Sequence, residues 1–187
     1  MGPGGIARLD RPSRAAEEPP QAVIAALELR AGDVVADLGA GTGYYTFELA
    51  RAVGPRGTVL AVEIEDAMLG ELRKRAARLG ARNVGLVRGT ARDPRLPAGK
   101  VDLVLMVHVY HELEFPYEVM EAVVRALKPD GRVAIVEHRA EEEDSPVGRL
   151  HAMTQTQIVK EMRAAGLALE RSANTLPGQH ILMFRRP

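Results

Sequence analysis

Apolar residues recur along the chain at two spacings, and the alternation between them predicts a series of strands and helices. Short apolar runs typical of buried strands lie at residues 34–38, 58–63, 84–88, 101–107 and 132–137. Apolar residues at helical spacing precede or separate these runs at residues 21–29, 45–53, 66–79 and 116–127. Because strand and helix alternate through five strands, we expect a mostly parallel sheet with helices on both faces.

The C-terminal part of the pattern predicts one more helix and a final pair of strands. Thr154 and Gln157 match a capping box at the start of that helix. Residues 167–172 and 180–184 follow as strands joined by a short loop. A parallel connection needs a long crossover, so we expect the last strand to run antiparallel to its neighbour.

Length and composition indicate a single domain. The chain has 187 residues, of which 46% are hydrophobic, enough for one sizeable core. Residues 1–20 are rich in glycine and proline and predict an irregular N-terminal arm, which leaves residues 21–187 as the domain. Arg11 and Arg14 belong to this arm, for which closure over a pocket as a flap and disorder are equal alternatives.

Charge and cysteine content restrict the possible partners. Lys+Arg and Asp+Glu both number 25, so no overall field draws the protein to nucleic acid or to an anionic membrane. The absence of cysteine excludes disulfides, thiolate metal sites and a thiol nucleophile. No apolar run approaches the ~20 residues of a membrane span, and residues 1–20 lack the core of a signal peptide. We therefore expect a cytoplasmic protein without a membrane partner, as a monomer or a homodimer.

An acidic residue and three glycines follow the first predicted strand. Gly39, Gly41 and Gly43 allow a tight turn and a close approach of the backbone to a ligand. Tyr44 stands where the dinucleotide-binding fingerprint needs its third glycine, and Asp37 places a carboxylate where a pyrophosphate would have to bind. This loop therefore suits a ligand that carries a positive charge.

Residues 37–43, of the form D-x-G-x-G-x-G, resemble the first motif of the class I S-adenosylmethionine (SAM) dependent methyltransferases. Residues 61–69 resemble the second-strand motif of that family, and Glu63 stands in the place of its acid, 24 positions after Gly39. The arm, the tyrosine-histidine pair after strand four and residues 151–154 are similar to small bacterial and archaeal methyltransferases of the small-molecule type. The resemblance implies a Rossmann-like three-layer α/β sandwich with seven strands in the order 3-2-1-4-5-7-6 and an antiparallel last strand.

The resemblance also implies a cofactor site for SAM, with S-adenosylhomocysteine (SAH) as the product. Asp37 and the glycine loop would hold the amino-acid end, and Glu63 would accept hydrogen bonds from the ribose hydroxyls. Thr90 replaces an aspartate that commonly contacts the adenine, a contact that Asp93 or the backbone would then supply. The predicted cofactor-binding residues are Asp37, Gly39, Ala40, Gly41, Thr42, Gly43, Tyr44, Glu63, Ile64, Met68, Thr90, Ala91 and Val107.

Histidines gather on the predicted ligand-binding face, and three roles are open to them. His111 is the first candidate for a general base and His108 the second, with Tyr110 as a positioning hydroxyl. A second role is polar lining of the pocket without proton transfer. A third is a metal site built from some of His108, His111, Glu112, His138 and His180.

The function expected from these residues is methyl transfer from SAM to a small-molecule acceptor by in-line displacement. One alternative is a SAM-binding regulator or pseudoenzyme that keeps the loop and Glu63 but transfers nothing. Another is methylation of a protein or RNA, which the neutral net charge disfavours. The methyl-accepting atom stays open.

Overall fold

The computed structural model describes residue 14 and residues 18–142 and 148–187; the predicted flap residue Arg11 and most of the predicted arm lie outside these ranges. The helices are α1 (Pro20–Leu27), α2 (Thr46–Val53), α3 (Asp66–Leu79), α4 (Pro116–Ala126) and α5 (Gln155–Ala164). The strands are β1 (Val34–Leu38), β2 (Thr58–Glu63), β3 (Val84–Arg88), β4 (Val101–Val107), β5 (Leu127–Arg139), β6 (Ala152–Met153), β7 (Ala168–Ala173) and β8 (Gln179–Arg185). Short 3₁₀ turns lie at Tyr110–Glu112 and Arg149–His151. Among the described helices, none combines the length and apolar character needed to cross a membrane.

The sheet has the strand order β3-β2-β1-β4-β5-β8-β7, with the two-residue strand β6 beside β5. Strands β1 to β5 pair in parallel, and β8 runs antiparallel to both β5 and β7. The predicted α/β class and the antiparallel last strand are thereby confirmed. The one departure is β6, which is too short to leave a sequence pattern and which shifts the numbering of the last two strands.

Helices cover both faces of the sheet, and alternate residues of each strand point to opposite sides. In β4, Leu103 and Leu105 pack with residues of α1 and α2 on one face. Val104 and Met106 pack with α4 and α5 on the other face. Strands buried on both sides have no polar alternation, which explains the continuous apolar runs in the sequence.

Two helix ends show how local chemistry sets the boundaries. Helix α1 ends at Leu27, two residues earlier than predicted, because Glu28 adopts a left-handed conformation with φ of 50°. At the start of α5, the Oγ1 of Thr154 accepts a hydrogen bond from the backbone N–H of Gln157 at 3.1 Å. The Gln157 side chain donates a hydrogen bond to Glu161 at 3.1 Å. The helix is therefore capped by the Thr154 side chain, which is one half of the predicted capping box.

Candidate functional site

The glycine loop after β1 has the sharp turn that the sequence predicts. Gly39, Gly41 and Gly43 have φ values of 74°, 55° and 88°, in the left-handed region that favours glycine. A Cβ on Gly39 would lie 2.4 Å from a methyl carbon of Val109, and a Cβ on Gly43 would lie 2.6 Å from the ring of Phe47. No other residue fits at positions 39 and 43 without displacing these neighbours.

Two carboxylates flank this loop at the carboxyl ends of β1 and β2. Asp37 is buried, and its Oδ2 accepts a hydrogen bond from the hydroxyl of Thr46 at 2.6 Å. Burial raises the pKa of Asp37 to about 6, and the nearby Glu63 carboxylate acts in the same direction, although the Thr46 hydroxyl opposes both. Negative charge on both sides of the loop repels a phosphate and attracts a cation.

The Glu63 carboxylate is held by the backbone around it. It accepts hydrogen bonds from the N–H groups of Gly41 at 3.0 Å, Ile64 at 2.7 Å and Glu65 at 3.2 Å. A carboxylate offers about four acceptor positions. The contacts within the described chain therefore leave room for about one more donor, which refines the predicted acceptance of two ribose hydroxyls.

An open cavity of about 390 Å³ lies beside Glu63, between the ends of β2 and β3; it is lined by Ile64, Arg88, Gly89, Thr90, Ala91 and Arg95. Three of the predicted cofactor residues, Ile64, Thr90 and Ala91, therefore meet at one surface. Met68 is instead buried within α3 and is not part of this lining. Asp93 is not among the lining residues either, and its Oδ1 accepts a hydrogen bond from the Arg95 backbone at 2.7 Å.

Tyr44 connects the glycine loop to the N-terminal arm. Its hydroxyl donates to the backbone carbonyl of Glu18 at 2.9 Å, and the Arg14 guanidinium lies 4.0 Å from its ring centroid. The neighbouring Tyr45 donates its hydroxyl to Glu18 Oε1 at 2.6 Å. The Glu18 N–H donates to the Arg14 carbonyl at 2.7 Å.

His108 lies between two buried carboxylates. Its Nε2 is 3.4 Å from Glu18 Oε1 and its Nδ1 is 3.8 Å from Glu137 Oε2, while its ring stacks on His138 with centroids 4.4 Å apart. Burial alone would lower the pKa of His108, but Glu137 and Glu18 outweigh it and raise that pKa to about 9. His108 is therefore a cation near neutral pH.

A positive charge on His108 is unfavourable for its predicted role as the second candidate for the general base, because a protonated imidazole has no lone pair to accept a proton; that role stays a prediction. Burial, followed by the positive charge of His108, lowers the pKa of His138 to about 4. Burial would raise the pKa of Glu18, but His108 and Arg14 lower it to about 2. The stacked pair thus consists of one charged and one neutral ring.

His111 makes the closest side-chain contact of a histidine with Glu137 among the described residues. Its Nδ1 is 2.8 Å from Glu137 Oε2, and its backbone N–H donates to Glu137 Oε1 at 3.3 Å. Burial would raise the pKa of Glu137, but His108 and His111 lower it to about 2. A neutral His111 that donates a hydrogen bond from Nδ1–H to Glu137 carries its lone pair on Nε2.

Tyr110 has a different role from the predicted one. Its ring is buried in the core, and its hydroxyl donates to Glu161 of α5 at 2.8 Å. Burial and the Glu161 carboxylate raise the pKa of this hydroxyl. Tyr110 therefore attaches α5 to the turn after β4, which corrects the prediction that its hydroxyl positions the acceptor.

Of the histidines predicted as metal candidates, the described structure brings only His111 into a group of three converging ligand atoms, with Glu112 and His151. His108 and His138 stack instead of converging, and His180 is buried at the start of β8.

Sequence reasoning misses Glu137 and Glu18, which hold the histidines. For Glu137 a signal exists, since it is an acid at the carboxyl end of an apolar strand, where ligand-facing residues gather. For Glu18 there is no local signal, because its partners Tyr45 and His108 are far along the chain.

Comparisons with known proteins place these features among methyltransferases. The family model described as "Methyltransferase domain" matches residues 29–178. The ubiquinone/menaquinone biosynthesis C-methyltransferase UbiE of Pasteurella multocida (strain Pm70) is 33% identical over 110 residues, covering 58% of this chain and 41% of that protein. Nocamycin O-methyltransferase of Saccharothrix syringae is 33% identical over 109 residues, covering 57% and 38%. The chain thus spans about two fifths of the length of these relatives.

A solved structure resembles the whole described fold. The crystal structure of a SAM dependent methyltransferase from Aquifex aeolicus is 27% identical and superposes with a TM-score of 0.91, covering 98% of each chain.

Proposed function

Because the match over residues 29–178 shows that the chain belongs to the methyltransferase domain family, we propose that it transfers a methyl group from SAM to a small-molecule acceptor. The family predicted from the sequence is confirmed. The single observation that carries the proposal is the pair of carboxylates, Asp37 and Glu63, on either side of a glycine loop. SAM carries an ammonium, a sulfonium and ribose hydroxyls, and it has no phosphate that these acids would repel.

The cofactor would lie across the carboxyl ends of β1, β2 and β4. In this arrangement Asp37 attracts the ammonium, and the free acceptor position of Glu63 takes a ribose hydroxyl. The cavity beside Ile64, Thr90 and Ala91 receives the adenine. The loop residues from Gly39 to Gly43 act through their backbone and through the space that their small side chains leave, whereas Tyr44 links the loop to Glu18.

The acceptor side of the site would be formed by His111. Glu137 fixes the orientation of its ring, and the Nε2 lone pair is the basic atom that takes the acceptor's proton as the methyl group moves. A neighbouring cation, His108, adds positive charge beside an acceptor that becomes anionic. This combination suits an acceptor with an acidic hydroxyl or an acidic carbon.

Two relatives are named for methylation at carbon and at oxygen, which supports a small molecule as the acceptor. Lys+Arg and Asp+Glu are equal in number, so the chain has no excess of cations for a nucleic-acid backbone. We therefore propose phenols, enols and hydroxyquinone-like compounds as the first acceptor classes to test.

The test is turnover with SAM that carries an isotopically labelled methyl group, in the presence of a panel of phenols, enols, amines and thiols. The proposal expects labelled product and SAH in equal amounts from at least one acidic acceptor. It also expects His111→Gln to lower kcat by about 100-fold or more, as loss of a general base does, with little change in SAH affinity. Glu114→Gln, a change in an exposed side chain of the same segment, serves as the control. Binding of SAM without product across the panel would favour the regulator.

A further inference from the structure

Three side chains from two separate turns converge on one point beside the acceptor side of the proposed site. His111 and Glu112 belong to the 3₁₀ turn after β4, and His151 ends the 3₁₀ turn that precedes β6. One ligand atom from each lies within 4.8 Å of the others, and this is the one such group of three among the residues described.

One separation between these ligand atoms matches that of tetrahedral metal ligands, a second is longer, and all three atoms lie within 4.8 Å of one another. The Nε2 of His111 is 3.3 Å from the Nδ1 of His151 and 4.0 Å from Glu112 Oε1. Tetrahedral ligands at the usual zinc–nitrogen distance lie about 3.4 Å from one another. The two imidazole rings are nearly perpendicular, with an interplanar angle of 79°. Small side-chain rotations would therefore bring all three atoms onto one ion.

A hydrogen-bond acceptor for the second ring nitrogen of His111 is also present. Metal-binding histidines usually donate their second ring N–H to a carboxylate or a carbonyl, which fixes the tautomer and the ring orientation. Glu137 supplies that carboxylate, 2.8 Å from His111 Nδ1, and it also accepts the backbone N–H of His111. The Glu137 side chain is fully buried, so this orientation is rigid. The ring is thus held with Nε2 facing His151.

The fold brings the second turn to this place through β6. Ala152 pairs with His138 of β5, and Met153 pairs with Arg139. Since His151 directly precedes β6 and Glu137 directly precedes His138, the pairing sets the second ligand beside the residue that orients the first. The two-residue strand β6 therefore positions His151 next to Glu137 and His111.

We propose that His111, Glu112 and His151 bind a divalent transition-metal ion of the zinc class. Two imidazole nitrogens and one carboxylate are the ligands that such ions prefer, whereas magnesium and calcium select oxygen ligands. Three protein ligands leave a coordination position open, as catalytic zinc sites do. An oxygen atom of the acceptor fits that position, which deepens the proposed function by favouring acceptors with a metal-binding hydroxyl.

An ion at this site changes the task of His111 in the proposed reaction. In the loaded protein its Nε2 lone pair is bound to the metal, so it no longer takes the acceptor's proton. A hydroxyl bound to the ion would be more acidic and would release its proton to water. The oxygen would then form a bond to the methyl carbon as the carbon–sulfur bond of SAM breaks and SAH leaves.

Zinc binding to the purified full chain tests the site without any cofactor or acceptor. Protein treated with a chelator and then dialysed is titrated with Zn²⁺ alone by calorimetry, and bound metal is counted by plasma mass spectrometry. We expect one equivalent of zinc, and an affinity lower by about tenfold or more in His151→Ala and Glu112→Gln. Both side chains are exposed, and Glu114→Gln, another exposed carboxylate of the same segment, should bind zinc as the wild type does.

Cobalt gives a second readout of geometry. Co²⁺ in place of zinc should produce the intense visible absorption of a tetrahedral nitrogen and oxygen site in the wild type and should lose it in His151→Ala. No bound zinc, or equal zinc affinity in all four proteins, would overturn the proposed metal site. SAH titration of the same samples is separate, so retained SAH binding with no zinc binding would refute the metal site alone.

Discussion

Alkaline pH should destabilise the protein through the ion pairs of His108. Burial alone would lower the pKa of this side chain, but Glu137 and Glu18 raise it from 6.5 to about 9. The folded protein therefore holds the proton more tightly than the unfolded chain does. It follows that this stabilisation is complete below pH 6.5 and is lost as the pH rises through about 9.

The size of the effect follows from the two pKa values. The interval from 6.5 to about 9 corresponds to about 3 kcal/mol of unfolding free energy, at roughly 1.4 kcal/mol for each pKa unit. The His108 side chain is 21% exposed, so solvent screens part of the interaction. We expect a loss of about 2 kcal/mol between about pH 7 and about pH 10.

Urea unfolding over this pH range measures the loss, with His108→Asn as the reference protein. Asparagine accepts the left-handed backbone at this position, where φ is 54°. In the wild type, Glu18 and Glu137, with pKa values of about 2, stay ionised over this pH range, and His138, with a pKa of about 4, stays neutral. The two proteins differ at this residue alone, so the difference between the two curves isolates the contribution of His108.

The wild type should lose about 2 kcal/mol more than the variant over this range, and an NMR titration should show a histidine ring with a pKa of about 9. Parallel loss of stability in both proteins, or titration of His108 near pH 6.5, would refute the assignment of charge around this residue.

Three further predictions concern the glycine loop, the hydroxyl that donates to Asp37, and the contact between Tyr110 and α5. Gly39→Ala should abolish SAH binding, whereas Gly99→Ala, which carries a similar positive φ without a clash, should leave it intact; calorimetry compares the two. Thr46→Val should raise the pKa of Asp37 further above about 6, because the hydroxyl that opposes the rise is gone. SAM affinity should then begin to fall at a higher pH than in the wild type, as titrations at several pH values would show. Tyr110→Phe should lower the unfolding free energy by about 1 kcal/mol without changing SAH affinity, which urea unfolding and calorimetry can check.

The sequence predicts the fold correctly where a hydrophobic pattern extends over a whole helix or strand. Parallel strands buried on both faces leave continuous apolar runs, and the short loop before β8 requires an antiparallel strand. Strand β6 has only two residues, so no periodicity can reveal it. The same limit applies to the left-handed Glu28, whose conformation ends α1.

The cofactor side of the site was open to prediction because its parts are local. The glycines stand next to Asp37, and Glu63 ends the following strand, so sequence spacing alone brings them together. The burial of Met68 on α3 cannot be predicted from sequence spacing, because one methionine on a helix suits the core and a pocket equally.

The acceptor side depends on contacts between distant segments. His108 is a cation because Glu18 and Glu137 reach it from the arm and from β5. Tyr110 points into the core because the 3₁₀ turn rotates it toward α5. Sequence spacing cannot show such effects, since they arise from the tertiary arrangement of buried charges.

Calorimetric titration of the wild-type protein with SAH tests the central claim most directly. We predict one bound equivalent, an affinity about 10- to 100-fold weaker in Glu63→Gln, as loss of a charged hydrogen bond implies, and unchanged affinity in Glu65→Gln, its exposed neighbour. Thermal unfolding of each variant would establish that both are folded. The absence of SAH binding to the wild type, or equal affinity in the folded Glu63→Gln variant, would contradict the assignment of this loop and its two acids to the cofactor.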